Sequence, residues 1–168
     1  GGYVPHALAV VHVEDRGFQF ADSVYEVCEV KNRALIDTTR HLARLARSLS
    51  ELKIAFPMAE PALRHVLGQV VRRNRVRDGI VYLQVTRGQA PRDFLFPGPD
   101  TEPTLVAVAR SIDPAKVAAK ARQGIAVKSV PDHRWGRCDL KTVMLLPAAL
   151  AKETARTAGA SRQSRAVT

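Results

Sequence analysis

The 168-residue sequence is poor in cysteine and has no long apolar run. Its two cysteines, Cys28 and Cys138, are too few for a disulfide framework and lack the spacing of metal ligands. We interpret each as a small buried residue in a protein of a reducing compartment. No apolar run approaches the roughly 20 residues of a membrane-spanning helix. The start, GGYVPHALAV, lacks the charged and apolar segments of a signal peptide. These shortages predict a soluble, cytoplasmic protein.

Aromatic residues are also scarce, at 5% of the sequence, whereas the formal net charge is +10. Basic residues neutralise phosphates, so a nucleic-acid-binding module is one alternative for this protein. The basic residues are scattered, however, except in the tail and in the cluster Arg72, Arg73, Arg75 and Arg77. That cluster lies at the end of a predicted helix, whose dipole it complements, and aromatic platforms for single strands are few. The composition therefore gives little support to a nucleic-acid partner.

Histidines are few and dispersed as well. His6, His12, His41, His65 and His133 do not form a set of metal ligands with one another or with the cysteines. We interpret each as a local hydrogen-bonding residue and predict no metal site.

Apolar residues make up 46% of the chain, which is enough for a core. Between Val24 and Val30 they alternate with polar residues in the two-residue period of a β-strand. On that strand Val24, Glu26, Cys28 and Val30 would share one face, and Tyr25 would point to the other. The pattern predicts a β-strand over these residues.

Helices and strands alternate along the rest of the chain. Leucines at helical spacing predict a helix that Thr38 or Thr39 caps and Pro57 ends, and Pro61 opens a second helix. Further strands are predicted at 80–88, 104–112 and 125–130, with a short helix at 113–124. This alternation is typical of an α/β or α+β architecture.

Four segments carry a family pattern. They are DRGFQFADSVYEV (15–27), HLARLARSL (41–49), VYLQVTRGQAPRDFLFP (81–97) and DLKTVMLLPAALAKETA (139–155). In their order and approximate spacing they resemble the class IV (fold-type IV) aminotransferases, which are pyridoxal-phosphate enzymes. Within that class they are most similar to D-amino-acid aminotransferases. The similarity extends from near residue 3 to near residue 160.

The resemblance also specifies the domain organisation. It implies an α/β (α+β) fold with a small N-terminal α/β domain over residues 1–110. The beginning of a larger, β-rich cofactor domain, which contains the lysine segment, would follow over residues 111–160. Residues 161–168 lack apolar periodicity and are expected to form a disordered tail.

The resemblance implies that Lys141 is the catalytic residue, which binds pyridoxal 5'-phosphate through a Schiff base. Its amine would then carry a proton between the substrate Cα and the cofactor. Arg44 is implied to bind the cofactor phosphate, because a guanidinium donates paired, charge-assisted hydrogen bonds. Tyr25 would face both the cofactor and the substrate.

The implied substrate residues depart from the family pattern. Arg92 corresponds to the arginine of an R-x-H loop that binds the substrate α-carboxylate, but Phe94 stands where that loop has histidine. One donor is thereby replaced by an apolar ring, which leaves the substrate and its stereochemistry open. Ala21 and Ser23 stand in place of family glycines, at a cost that depends on the backbone φ there. Arg87 is interpreted as structural.

The resemblance further implies a homodimer that moves an amino group from an amino acid, favouring a D-amino acid, to a 2-oxo acid. It also implies a further part of roughly 100 residues, with a carboxylate for the pyridine nitrogen, and no motif of that part follows Ala160. The alternatives on this scaffold are aminodeoxychorismate lyase and branched-chain or amine transaminase activity. Outside it, the alternatives are an inactive truncated fragment and the nucleic-acid-binding module.

Overall fold

The computed structural model describes residues 2–160 and 162–165, with side chains up to residue 160. The helices are α1 (Arg16–Phe20), α2 (Thr38–Glu51), α3 (Glu60–Arg73), α4 (Pro114–Gln123) and α5 (Leu146–Thr157), besides a 3-10 turn at His6–Leu8. The strands are β1 (Ser23–Lys31), β2 (Ala34–Leu35), β3 (Gly79–Thr86), β4 (Thr104–Ser111), β5 (Val127–Val130) and β6 (Arg162–Arg165). No helix of the described ranges has the length and apolar character needed to cross a membrane.

The chain divides into two units. The first runs to Ile112 and also contains Leu140–Val143, and the second comprises Asp113–Asp139 and the residues from Met144 onward. The sequence predicts a boundary at residue 110 with Lys141 in the second domain. Lys141 instead belongs to the first unit, because its segment pairs with β1 through main-chain hydrogen bonds.

The first unit is built on an antiparallel sheet with the strand order β2-β1-β3-β4. Val24, Glu26, Cys28 and Val30 lie on one face of β1, and all four are buried, each at most 1% exposed. Tyr25, on the opposite face, pairs with Gln84 of β3 in the antiparallel register. Adjacent residues of β1 therefore lie on two different faces. One is the buried face, called the dry face below, and the other is partly exposed.

Helices α2 and α3 cover the dry face of this sheet. Their leucines recur at helical spacing, and Leu42, Leu45, Leu49, Leu63 and Leu67 are at most 1% exposed. Helix α2 begins after Asp37, which has a left-handed φ of 55° and no side-chain cap hydrogen bond. The predicted threonine cap is thus wrong, because the Thr38 hydroxyl donates backward to the Leu35 carbonyl.

The 87–103 loop leaves β3 through a glycine that the backbone requires. Gly88 has a φ of +103°, and a Cβ there would collide with the Glu102 carbonyl oxygen. Its own carbonyl accepts a hydrogen bond from the Arg16 N–H at 2.9 Å. The loop is therefore fixed at its start against α1.

The second unit contains α4, β5, α5 and β6. Asp113 caps α4 by accepting a hydrogen bond from the Ala115 N–H at 2.9 Å, and Ala155 of α5 is fully buried. Strand β6, Arg162–Arg165, pairs in parallel with β5. It falls within the tail expected to be disordered, and pairing through the main chain requires no apolar periodicity. Residues 161 and 166–168 of that tail lie outside the described residues.

The predicted α/β (α+β) fold class is confirmed. The prediction of two buried cysteines holds for Cys28 only. Cys138 is exposed, and its thiol donates to the Trp135 carbonyl. Both thiols are free.

Candidate functional site

Lys141 lies in an extended segment that runs beside the first half of β1. The Lys141 carbonyl accepts a hydrogen bond from the Tyr25 N–H at 2.9 Å. The next residue, Thr142, forms an isolated antiparallel bridge with Val24. In this register Lys141 stands opposite Tyr25, and opposite residues of an antiparallel pair point to the same side. The main-chain pairing therefore places the lysine and the tyrosine side chains together.

The Lys141 ammonium lies over the Tyr25 ring. Its Nζ is 4.3 Å from the ring centroid, within the range of a cation–π interaction. In turn Tyr25 stacks on Tyr82, with centroids 5.6 Å apart and an interplanar angle of 28°. The Tyr82 hydroxyl donates to Gln84 Oε1 at 2.7 Å, and burial, with a smaller effect of Tyr25, raises the pKa of Tyr82. Two stacked phenols thus support the lysine, which forms no ion pair in the described part of the chain.

Glu26 organises a second group on the dry face of β1. Its carboxylate is fully buried and accepts hydrogen bonds from Arg44 Nε to Oε1 and from Arg44 Nη2 to Oε2, both at 2.6 Å. His41 Nδ1 lies 2.8 Å from Oε2. A buried carboxylate is stable only when its oxygens are satisfied, and Arg44 does so with a paired fork.

This fork fixes the orientation of Arg44. The hydrogen bond to Glu26 is the main reason that the pKa of Arg44 is raised. Two of the three guanidinium nitrogens face Glu26, while the side chain remains 48% exposed. Arg44 is therefore held rigidly and still presents an accessible edge to a ligand.

The role of Glu26 was not predicted, although the sequence carries a signal for it. Glu26 stands in a row of otherwise apolar residues, between Val24 and Cys28, on one face of the predicted strand. A carboxylate in that position needs a cation. Arg44, on α2, supplies this cation, and His41, one helical turn before it, lies 2.8 Å from the same carboxylate.

Arg92 and Phe94, the predicted substrate residues, lie in the exposed part of the 87–103 loop. Phe20, the last residue of α1, contacts both of them. The Arg92 guanidinium lies 4.7 Å from the centroid of the Phe20 ring, and the Phe94 ring meets it edge-on at 5.7 Å. Phe94 is 86% exposed. Phe20 is thus a platform for the two residues, and the sequence analysis missed it.

A third group fastens this loop to the rest of the unit. Asp22 accepts hydrogen bonds from Arg16 Nε at 2.9 Å and from Arg87 Nε at 2.7 Å. Arg16 also donates to the Asp93 carbonyl at 2.7 Å, and the Arg87 guanidinium covers the Phe96 ring at 3.7 Å. The two arginine side chains are only 4% and 8% exposed. They hold the loop and have no accessible edge.

The predicted site residues therefore form separate groups within one unit. Lys141 meets Tyr25, Arg44 meets Glu26, and Arg92 meets Phe94 through Phe20. Tyr25 and Glu26 are adjacent in β1, so the first two groups meet the same strand on opposite faces. An amine without an ion pair and a guanidinium with a free edge are the donors that an aldehyde and a phosphate require.

Comparisons with known proteins agree with the resemblance of the motifs. The sequence pattern of class IV aminotransferases matches residues 23–163. The chain is 36% identical over 155 residues to a D-alanine aminotransferase from Staphylococcus haemolyticus, covering 92% of this chain and 54% of that protein. It is 37% identical over 160 residues to the D-alanine aminotransferase from Bacillus licheniformis, covering 95% and 56%. The chain spans about half the length of the curated relatives it matches.

Solved structures share the fold. A hypothetical aminotransferase from Mycobacterium tuberculosis, in its PLP-bound form, has a TM-score of 0.81 at 18% identity. The match covers 100% of this chain and 60% of that one. A 4-amino-4-deoxychorismate lyase from Pseudomonas aeruginosa has a TM-score of 0.67 at 27% identity, covering 86% and 53%.

Proposed function

The chain belongs to the class IV aminotransferase family, and we propose that it forms the catalytic-lysine part of a pyridoxal-phosphate-dependent D-amino-acid aminotransferase. The observation that carries the proposal is the pairing of the Lys141 segment with β1, which places Lys141 Nζ over the Tyr25 ring. A lysine amine condenses with an aldehyde, and this pairing fixes the position at which Lys141 would do so.

The types of donor present, an amine and a guanidinium, suit the aldehyde and the phosphate of pyridoxal 5'-phosphate. Lys141 would hold the cofactor at its aldehyde carbon, and Arg44 would donate from its accessible edge to the phosphate. When bound, the cofactor supplies an electron sink for the carbanion formed at the substrate Cα. Lys141 Nζ moves the proton at that Cα, and Tyr25 positions the amine by packing against it.

The paired hydrogen bonds to Glu26 prepare Arg44 to bind a phosphate. A free arginine loses side-chain entropy when it binds a phosphate, whereas a guanidinium already fixed by Glu26 has lost most of that entropy in advance. Glu26 is thus a positioning residue, which acts through Arg44 and does not contact the cofactor.

Arg92 would bind the α-carboxylate of the amino acid. With Phe94 at the position that carries a histidine in the family pattern, the loop offers one cationic donor and one apolar ring. We therefore infer an amino acid with an apolar side chain as the substrate, with D-alanine, the substrate in the names of the matched relatives, as its simplest form. A 2-oxo acid would accept the amino group.

A second candidate is lyase activity on aminodeoxychorismate. The 27% identity to the Pseudomonas aeruginosa lyase favours it, since that chain shares more sequence with this one than the Mycobacterium tuberculosis aminotransferase does. We further infer a homodimer in the cytoplasm, in line with the family resemblance.

Amino transfer in a single turnover tests the function. The protein is loaded with pyridoxal 5'-phosphate and mixed with D-alanine, and the conversion to pyridoxamine 5'-phosphate is followed by absorbance together with pyruvate release. We expect one pyruvate for each converted cofactor, no conversion with Lys141→Ala, and slower conversion with L-alanine. Pyruvate formed from aminodeoxychorismate but not from D-alanine would favour the lyase. Absence of both reactions in folded, cofactor-loaded protein would refute the proposal.

A further inference from the structure

A basic groove lies on the first unit, lined by α3 and by the turn between β1 and β2. It has a volume of about 570 Å³. Its lining includes Arg33, Arg72 and Arg75, together with His65, Gln69, Gly68, Val71 and Val76. None of these residues has a role in the proposed aminotransferase site. Two of its residues, Arg72 and Arg75, belong to the arginine cluster noted in the sequence.

Two separate elements bring the arginines together. Arg72 and Arg75 lie at and just beyond the last turn of α3, and Arg33 lies in the β1–β2 turn. The Arg33 N–H donates to the Arg77 carbonyl at 2.8 Å, and the neighbouring Asn32 N–H donates to Asp78 Oδ1 at 3.2 Å. The helix dipole accounts for basic residues at the end of α3. It does not account for a third arginine that a different turn adds to the same groove.

The charge of the groove is not neutralised by the protein. Arg33, Arg72 and Arg75 form no ion pair among the residues that the structure describes, and all three are exposed. Converging like charges repel one another unless an anion lies between them. His65 and Gln69 add polar groups beside the arginines, with their Nε2 atoms 3.2 Å apart.

The floor of the groove is apolar. Val71 and Val76 are 3% and 1% exposed, and a Cβ added at Gly68 would meet nothing within 4 Å. A concave site with an apolar floor and a few convergent polar groups is typical of small-molecule binding. None of the described residues that line the groove is a Phe, Tyr or Trp, so His65 has the only ring there on which a nucleic-acid base could stack.

We propose that this groove binds a small organic phosphate, with the phosphate dianion on Arg33, Arg72 and Arg75 and the apolar body against Val71, Val76 and Gly68. Guanidinium groups suit a phosphate because they donate in pairs to its oxygens. The site is separate from Arg44, which lies on α2, so it stands or falls independently of the aminotransferase proposal.

Isothermal titration with phenyl phosphate tests the site, with inorganic phosphate and benzenesulfonate as comparisons. We expect phenyl phosphate to bind most tightly, since it combines a dianion with an apolar body. Arg33→Gln and Arg75→Gln should each weaken this binding about tenfold, through the loss of a charged hydrogen bond. The matched control Arg122→Gln, on α4, removes the same charge far from the groove in sequence and should leave the affinity unchanged.

Gly68→Leu distinguishes binding in the groove from non-specific binding to the basic surface. It fills the open space above the floor without changing any charge, and it replaces a glycine within a helix by a better helix former. We expect it to abolish phenyl phosphate binding in a protein that remains folded by circular dichroism. Binding that survives Gly68→Leu, equal losses in Arg122→Gln, or no binding at millimolar phenyl phosphate would each overturn the proposal. Binding of a DNA oligonucleotide that excludes phenyl phosphate would overturn it in favour of a nucleic-acid surface.

Discussion

Two arginine–carboxylate groups lie four residues apart at the start of the sheet and differ in one respect. At Asp22, both arginines are almost fully buried, and each also binds main-chain carbonyls, such as Leu52 and Lys53 for Arg87. At Glu26 the carboxylate is the buried partner, whereas Arg44 is 48% exposed. In the Asp22 group both arginine side chains are buried in the fold. In the Glu26 group the carboxylate is buried and the arginine lies partly at the surface.

This difference separates arginines whose hydrogen bonds are all made within the fold from an arginine that keeps an exposed edge, without reference to any family. The Arg87 guanidinium donates hydrogen bonds to Asp22 and to two main-chain carbonyls, and it packs against the Phe96 ring. Arg44 is committed on one side only, to Glu26. An arginine whose orientation is already fixed, but which still has unused N–H donors, can bind an anion with little further loss of side-chain entropy.

The largest effect is expected at the saturated group. Asp22→Asn leaves Arg16 and Arg87 buried with uncompensated charge, and breaking a buried pair in this way costs about 3–5 kcal/mol. Urea unfolding should show this loss in the free energy of unfolding. The control Glu60→Gln breaks the exposed pair with Arg64 and should cost less than about 1 kcal/mol. Equal losses in the two variants would contradict the account of the Asp22 group.

The next largest effect concerns Arg44 and the affinity for pyridoxal 5'-phosphate. Arg44→Lys keeps the charge but cannot form the fork to Glu26 and reach a phosphate at the same time. We expect pyridoxal 5'-phosphate to bind about tenfold more weakly, as measured by absorbance titration. Arg40→Lys, on the same helix and 84% exposed, provides the matched control and should not change the affinity. Unchanged binding in Arg44→Lys would assign Arg44 to structure alone.

A smaller effect concerns the residue just before Asp22. Ala21 has a φ of 56°, so the family glycine is replaced where the backbone is left-handed. Ala21→Gly should therefore raise the free energy of unfolding by about 1 kcal/mol. Ser23→Gly should lower it, because Ser23 lies in β1 and accepts a hydrogen bond from Gln84. Thermal unfolding of both variants checks the opposite signs, and a loss of stability in Ala21→Gly would contradict the assigned strain.

A further effect, confined to alkaline pH, reports on the dry face that Glu26 shares with Cys28. Burial, with a smaller contribution from Glu26, raises the pKa of Cys28 from its usual 9.0 to about 11. Between these values the unfolded chain loses a proton that the folded chain keeps, so stability falls as the pH rises from 9 to 11. Cys28→Ala should flatten this part of the stability profile relative to wild type. A profile unchanged by the substitution would indicate that the thiol is not desolvated.

The sequence was sufficient for the residues whose roles depend on local pattern. The two-residue alternation predicts the strand β1 and which of its side chains share a face, and the motif segments identify Lys141, Tyr25, Arg44 and Arg92 as candidates. The roles of these candidates remain predictions. Arg87 was interpreted as structural, and its saturated surroundings support that interpretation.

Partnerships across long separations could not be predicted. Glu26 and Arg44 are 18 residues apart, and Asp22 and Arg87 are 65 apart, so each pair exists only after helices and strands have packed. The same holds for the placement of Lys141 in the first unit, which rests on pairing between Thr142 and Val24. The exposure of Cys138 and the backbone φ of Ala21 also depend on the folded surroundings.

The most direct test of the account is the site of cofactor attachment. The protein is incubated with pyridoxal 5'-phosphate at low molar excess, reduced with borohydride and digested for peptide mass spectrometry. We expect one adduct, at Lys141, because main-chain pairing with β1 holds this lysine over the Tyr25 ring. An adduct spread without preference over the other lysines, or none in folded protein, would contradict the assignment of Lys141 as the catalytic residue.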